Sequence, residues 1–349
     1  MIRKPRSIHL ALASLLSLHM TFSTTPQAKA QFPELSVDAN PGWIFMVDFL
    51  SWSVHNPHTE YAISDIGGVQ DRGAVGTVLD LDTNYDPGIR ISAGRRLFGS
   101  AVEGRFTYTY FDSFTNERFD GPVRSTFISS DNSENDDSDN INTSGVETIF
   151  ADDRATRAVA SLDFDYNTFD WEVAQAVNLT QSLAMRLSGK FRYLNMNQDF
   201  RVTYTGGDFQ TAFTPFETNA YDGGGIILGS EIRWYLTNSL SIRMAGNGGM
   251  MMGVSRTRIF IPDDEPGVPT DVRNTETVVS PMMDITAAVN YTRQVGSYEL
   301  NFGAGIEMSH YFNLVDGRTF SDSHQEGQNV HQLKDLSLGG AFIRFGVNQ

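Results

Sequence analysis

The chain is 349 residues long, contains no cysteine and carries a formal net charge of −16. Without disulfides, a chain of this size must be held by a large core or a closed sheet. The acidic balance argues against nucleic acid and against electrostatic attraction to anionic lipid. Met1–Ala30 has a basic head (Arg3, Lys4, Arg6), a mostly apolar stretch from Ile8 to Phe22, and the small-x-small pattern Ala28-Lys29-Ala30. This is the pattern of a cleaved export signal, which puts the mature start at Gln31 and a short periplasmic lead-in at 31–42. No later segment reaches the roughly 20 apolar residues of a membrane helix, so crossing a membrane would require strands.

After residue 42 the dominant period is two, the mark of strands. Val102, Phe106, Tyr108 and Tyr110 alternate with Glu103, Arg105, Thr107 and Thr109. Ile226, Leu228, Ile232 and Trp234 alternate with Gly229, Glu231 and Arg233, and Tyr298 through Met308 alternates with Glu299 through Glu307. Ten strands are expected at about 43–54, 86–97, 100–112, 157–177, 183–204, 223–236, 240–260, 278–292, 297–312 and 333–347. Most are longer than ordinary strands of about 5 to 6 residues and suit the 9 to 11 that a tilted membrane strand needs. The links between them alternate in length. Phe98-Gly99, Asn178–Ser182, Thr237–Ser239 and Gln294–Gly296 are tight, whereas 55–85, 113–156, 205–222, 261–277 and 313–332 are long and polar. Tight turns on one side and long loops on the other is the asymmetry of an outer-membrane barrel with both termini on the short side.

The expected fold is therefore all-β: a transmembrane antiparallel up-and-down β-barrel of about ten strands, or twelve and more if the long loops hide hairpins. An internal echo accompanies it. Leu179–Arg186 (LTQSLAMR) matches Leu236–Arg243 (LTNSLSIR), each a tight turn leading into a strand, with Gly189 and Gly246 at the same offset. Hairpin duplication and convergence on good turn chemistry both account for the match.

Several stretches resemble a known family. Trp43–Trp52 (WIFMVDFLSW), Gly88–Gly94 (GIRISAG), Leu162–Glu172, Gly189–Tyr193 (GKFRY) and Gly340–Val347 (GAFIRFGV) are similar to strands of the Legionella-type pore-forming major outer membrane proteins. The resemblance implies an outer-membrane location and a pore. One departure is the ending Val347-Asn348-Gln349, where barrels usually carry an aromatic residue that assists assembly.

The polar face of the alternation directs Arg90, Glu103, Arg105, Arg186, Lys190, Arg192, Glu231, Arg233, Arg243, Asp284, Glu299, Glu307 and Arg344 into the lumen. Two readings stand side by side: a narrow pore whose charge ladder sets ion preference, or an ion-pair network that plugs a barrel only slightly wider than one filled by its own side chains. Trp43, Trp52, Tyr108, Tyr110, Trp171, Tyr193, Trp234, Tyr291, Tyr298 and Tyr311 are expected in the aromatic girdles at the two lipid–water boundaries.

Asp131–Asp139 packs five acids into nine residues, but lacks the order and central glycine of a calcium loop. A solvated surface loop is expected, able at most to bridge to lipopolysaccharide phosphates through divalent cations. His55, His58, His310, His324 and His331 lie in or beside long links without metal-site spacing. His310 with Glu307 or Asp316 could be arranged for catalysis near the outer rim, but no nucleophile elbow or cysteine accompanies it. Gly223-Gly224-Gly225 reads as a loop-to-strand entry rather than a phosphate loop. The sequence thus points to a non-enzymatic, pore-forming or structural barrel passing small solutes or ions. The alternative is a surface adhesion or ligand-binding protein anchored by a plugged barrel. Expected partners are outer-membrane lipid, lipopolysaccharide and the barrel assembly machinery, with no cofactor, no metal and no nucleic acid.

Overall fold

The computed structural model describes residues 42–55, 59–64, 76–96, 102–126, 154–207, 209–262, 269–320 and 329–349. The expected export signal at 1–30, nearly all of the expected lead-in, the expected Phe98-Gly99 turn and the acidic run at 131–139 lie outside them. Among the described residues there are thirteen strands: β1 (Trp43–His55), β2 (Glu60–Ser64), β3 (Val78–Asp80), β4 (Asp86–Arg96), β5 (Val102–Ser125), β6 (Arg154–Asn178), β7 (Leu183–Gly206), β8 (Phe209–Phe213), β9 (Phe216–Tyr235), β10 (Leu240–Ile261), β11 (Thr270–Val295), β12 (Tyr298–Phe320) and β13 (Asn329–Asn348).

Ten of these close into a ring. The order runs β5, β4, β1, β13, β12, β11, β10, β9, β7, β6 and back to β5, with each neighbour antiparallel. Closure leaves no unpaired edge, the condition for backbone to cross lipid. The two echo segments form the same turn. Leu179 and Thr180 N–H both donate to the Leu183 carbonyl, and Leu236 and Thr237 N–H both donate to the Leu240 carbonyl. In each, the threonine hydroxyl accepts from the serine N–H two residues on. Gly296 closes the β11–β12 turn at φ 62°, a conformation glycine adopts at no steric cost.

The strands run further outward than the alternation suggests. β5, at 24 residues, is about 80 Å long along its own axis, well over the roughly 30 Å hydrocarbon core even when tilted. Much of the expected links at 113–156, 205–222 and 261–277 is therefore strand, supplemented by β2, β3 and β8. The physical reason is on the outward face. Within lipid it is apolar, with Ile226 70%, Leu228 68% and Ile306 66% exposed. Beyond the lipid it carries charge pairs such as Arg256–Asp222 (2.8 Å) and Arg258–Asp271 (2.9 Å), so the hydrophobic period ends while the ladder continues. Within the ladders of the ten-strand ring, register shifts among the described residues follow Asp120 in β5 and Tyr311 in β12, the latter with Asn313 at φ 54°. Both lie outward of the charged inward residues, so neither reverses the faces that carry them.

Inside, three layers stack from the tight-turn end outward. Charged side chains fill the first. An apolar and aromatic layer follows, containing Leu50, Trp52, Phe111, Tyr166, Leu194, Met196, Tyr221 and Tyr311. Leu162, Phe200, Val202, Tyr204, Phe209, Phe213 and Ile259 pack the outer extension. Trp52 and Tyr311 are thus not girdle residues: at 2% and 0% exposure they stand inside the barrel. In β1 both faces are apolar, so composition could not tell them apart. Gly223-Gly224-Gly225 is not a strand entry either. It lies within β9, where the Tyr221 ring covers Gly223 and Gly253. A Cβ at Gly253 would stand 2.7 Å from the ring and 2.5 Å from the Gly223 Cα.

Candidate functional site

The thirteen charged residues read from the alternation all line the interior cavities at the tight-turn end of the barrel. They form chains of ion pairs. Arg186 donates through Nε to Glu103 at 2.8 Å and through Nη1 to Glu172 at 2.9 Å, and Arg105 donates to Glu103 at 2.7 Å. Arg192 holds Asp170 in a two-point fork, both contacts 2.8 Å, and reaches Asp284 at 3.3 Å and the Tyr311 hydroxyl at 3.0 Å. Lys190 lies 3.8 Å from Asp284. Arg90 grips Glu307 at 2.9 and 3.0 Å, and the Trp52 indole donates to the same carboxylate at 3.2 Å. Arg233 pairs with Glu231 at 3.0 Å, while Glu299 accepts from the Asn348 amide at 2.9 Å.

Three members of this network were not read from the sequence. Asp48 takes a fork from Arg344, both contacts 2.7 Å, and a third bond from Arg90 at 3.2 Å. Nothing in the doubly apolar run around it marks its direction. Asp170 and Glu172 were legible, because they alternate with Phe169, Trp171 and Val173, all more than half exposed on the outer face.

Above the charges the lumen narrows to the aromatic layer. The Tyr166 and Tyr311 hydroxyls meet at 2.7 Å, Trp52 packs on Phe111 and Tyr166 with ring centroids 5.6 and 6.2 Å apart, and the bulge in β12 buries Leu314 there. The cavities below it measure about 170 and 120 Å³.

A polar nest lies outward of the lipid band. Asn219 donates to Glu217 at 2.8 Å, and the Thr257 hydroxyl stands 2.9 Å from Asn219 and 3.1 Å from Asp316. Glu217 pairs in the ladder with Ile259, beyond the outward-facing Arg258. Burial, joined by the nearby Asp316 charge, pushes its carboxyl up to about 7, against the opposing Asn219 bond and Lys334 charge. On the surface at the same level, the bonds from Arg258 and Arg273 hold Asp271 below the usual carboxylate range.

His310 is not brought to Glu307 or Asp316. It points outward, with Nδ1 2.7 Å from the Ser337 hydroxyl and Nε2 3.4 Å from Asp335, whereas both acids turn inward. Among the described residues no three His, Asp or Glu side chains gather as a metal site. His58 and His324, and the side chain of His331, lie outside what the structure describes.

A family model described as Legionella pneumophila major outer membrane protein precursor matches residues 37–348. The chain belongs to this major outer membrane protein family. It is a bacterial outer-membrane protein, and the ten-strand ring is its barrel. Among solved structures it is similar in fold to the outer membrane protease OmpT of Escherichia coli (10% identity, 89% of this chain and 96% of that one, TM-score 0.42). It is also similar to the translocator domain of the autotransporter NalP of Neisseria meningitidis (10% identity, 89% and 90%, TM-score 0.28) and to a FadL homologue of Pseudomonas aeruginosa (8% identity, 89% and 90%, TM-score 0.25). No match was found among curated proteins.

Proposed function

We propose that this family member is a structural outer-membrane barrel whose lumen is shut to hydrated solutes at rest, and that its outer strands and loops are the working surface. The observation that carries this reading is the Tyr166–Tyr311 contact, made by strands on opposite sides of the ring within a packed aromatic layer. A buried ion-pair network beneath such a layer stiffens the wall and fixes its register rather than conducting. The reading takes lipid and lipopolysaccharide as the surroundings, needs the assembly machinery for insertion, and assigns no catalytic role, since His310 faces away from the acids that could serve it.

The pore reading retains one specific support: the charged cavities at the tight-turn end offer a polar entry, with the Arg233 side chain 29% exposed. In that case the aromatic layer is a gate and the thirteen charged residues are pore-lining. Single-channel current across a planar lipid bilayer separates the two. A purified barrel that inserts without current supports the closed scaffold. Steady conductance steps whose ion selectivity changes in Arg186→Glu or Arg243→Glu would replace it with the pore.

A further inference from the structure

Among the described arginines of the lumen network, Arg243 is the one left without a close carboxylate; Lys190 is also loosely held, 3.8 Å from Asp284. Arg90, Arg105, Arg186, Arg192, Arg233 and Arg344 each have a carboxylate within 3.0 Å. The Arg243 contact to Glu231 is 3.9 Å, and Glu231 is already bonded to Arg233. The ladder makes this worse, because Arg243 stands directly opposite Arg233 on β9, and like charges in opposed positions destabilise a sheet. On its other side Arg243 faces Ala288 of β11, which brings no charge. The side chain is nevertheless buried, with the residue only 8% exposed, and its Nε has no hydrogen-bond partner.

A second unmet donor lies beside it. Asn290, two positions along β11 from Ala288 on the same inward face and 2% exposed, has an amide nitrogen with no partner. Leaving buried donors unmet is costly, and more so for a charged group. Both residues line the cavity of about 170 Å³ at the tight-turn end, and a space of that size holds several waters or one small polyatomic ion.

We propose that this cavity binds a small oxyanion of the carboxylate or phosphate class, admitted from the tight-turn end, with Arg243 as the principal ligand and Asn290 as a supporting donor. The guanidinium fork suits two oxygens of one anion. A negative charge there also relieves the Arg233–Arg243 opposition, which a bound water could not do. The inference concerns the cavity below the aromatic layer and holds whether or not the barrel conducts.

The test is calorimetric titration of the full, folded barrel in uncharged detergent with sodium phosphate and, separately, sodium acetate, at constant chloride. Saturable binding with a Kd at or below the millimolar range is expected for at least one ion, which then identifies the class. It is abolished in Arg243→Met, weakened about tenfold or more in Arg243→Lys, and unchanged in Arg258→Gln at the outer end of the same strand. Asn290→Leu, expected to weaken binding several-fold, serves if the Arg243 variants do not fold, as judged by circular dichroism. The proposal is overturned if folded wild-type protein binds neither ion, if chloride competes equally well, or if Arg243→Met or Asn290→Leu binds as wild type does.

Discussion

Tyr166 on β6 and Tyr311 on β12 share a hydrogen bond of 2.7 Å although 145 residues separate them, and their strands stand on opposite sides of the ring. A single contact thus spans the barrel. Trp52, Phe111 and the bulge-borne Leu314 pack the same layer, and Arg192 reaches up from the charged layer to the Tyr311 hydroxyl.

Removing only the contact should matter little. Tyr166→Phe is expected to cost about 1 kcal/mol, the usual net value of one hydrogen bond, and to leave the barrel closed. The double variant Tyr166→Ala, Tyr311→Ala removes both rings and should produce bilayer conductance steps larger and more frequent than those of wild type. Unchanged current in a folded double variant would show that the remaining apolar side chains suffice to close the lumen.

The Asp170–Arg192 pair should be among the most sensitive points of the wall. Both residues are buried, at 9% and 7% exposure, and joined by two bonds. Asp170→Ala leaves a buried guanidinium with Asp284, the Tyr311 hydroxyl and the Met282 sulfur as neighbours, and is expected to cost about 3–5 kcal/mol in reversible denaturant unfolding. Arg157→Ala, whose pair with Asp120 is half exposed on the outer surface, should cost no more than about 1 kcal/mol.

Lipid exposure predicts a third contrast. Leu228, 68% exposed, lies between the Trp234 girdle and the outward-facing Asp222. Leu228→Arg should destabilise the barrel by about 2–4 kcal/mol, as charge near the bilayer midplane does. The same charge added outward of the lipid, as in Thr218→Arg, should cost far less. Equal costs for the two would contradict the boundary drawn at Asp222 and Arg256.

Glu217 sets a pH dependence with a definite sign. Its carboxyl rises from an ordinary 4.5 to about 7, chiefly through burial. Between these values the folded barrel holds a proton that the unfolded chain has released, so stability declines as pH rises through that window and is level above it. Glu217→Gln should therefore melt higher than wild type above pH 7 and match it below pH 4.5. Asp271 acts in the opposite sense, its stabilisation being lost as pH falls through its lowered value, but full exposure keeps that contribution small. A wild-type melting temperature flat across the Glu217 window would remove the assignment.

The echo segments show how local chemistry was legible: two stretches of similar sequence form the same turn, with the same threonine and serine bonds. The sequence by itself determined the ten-strand barrel, the side with tight turns and the inward set from Arg90 to Arg344. A period of two in lipid permits only one face outward, and closure follows because lipid cannot satisfy an open edge. It could not determine direction where both faces of β1 are apolar, which is why Trp52 and Asp48 emerged only with the fold; Tyr311 keeps the inward parity of Glu299 and Glu307 in β12, and its burial in the aromatic layer shows that it is not a girdle residue. Nor could it follow the strands beyond the lipid, where charge replaces apolar side chains on the outer face. Only the tertiary structure decided that β6 meets β12 across the lumen, which of the described lumen arginines lacks a close carboxylate, and that the interior is layered rather than polar throughout. These depend on which strands face one another around the ring, a relationship among residues far apart in sequence that no local pattern encodes.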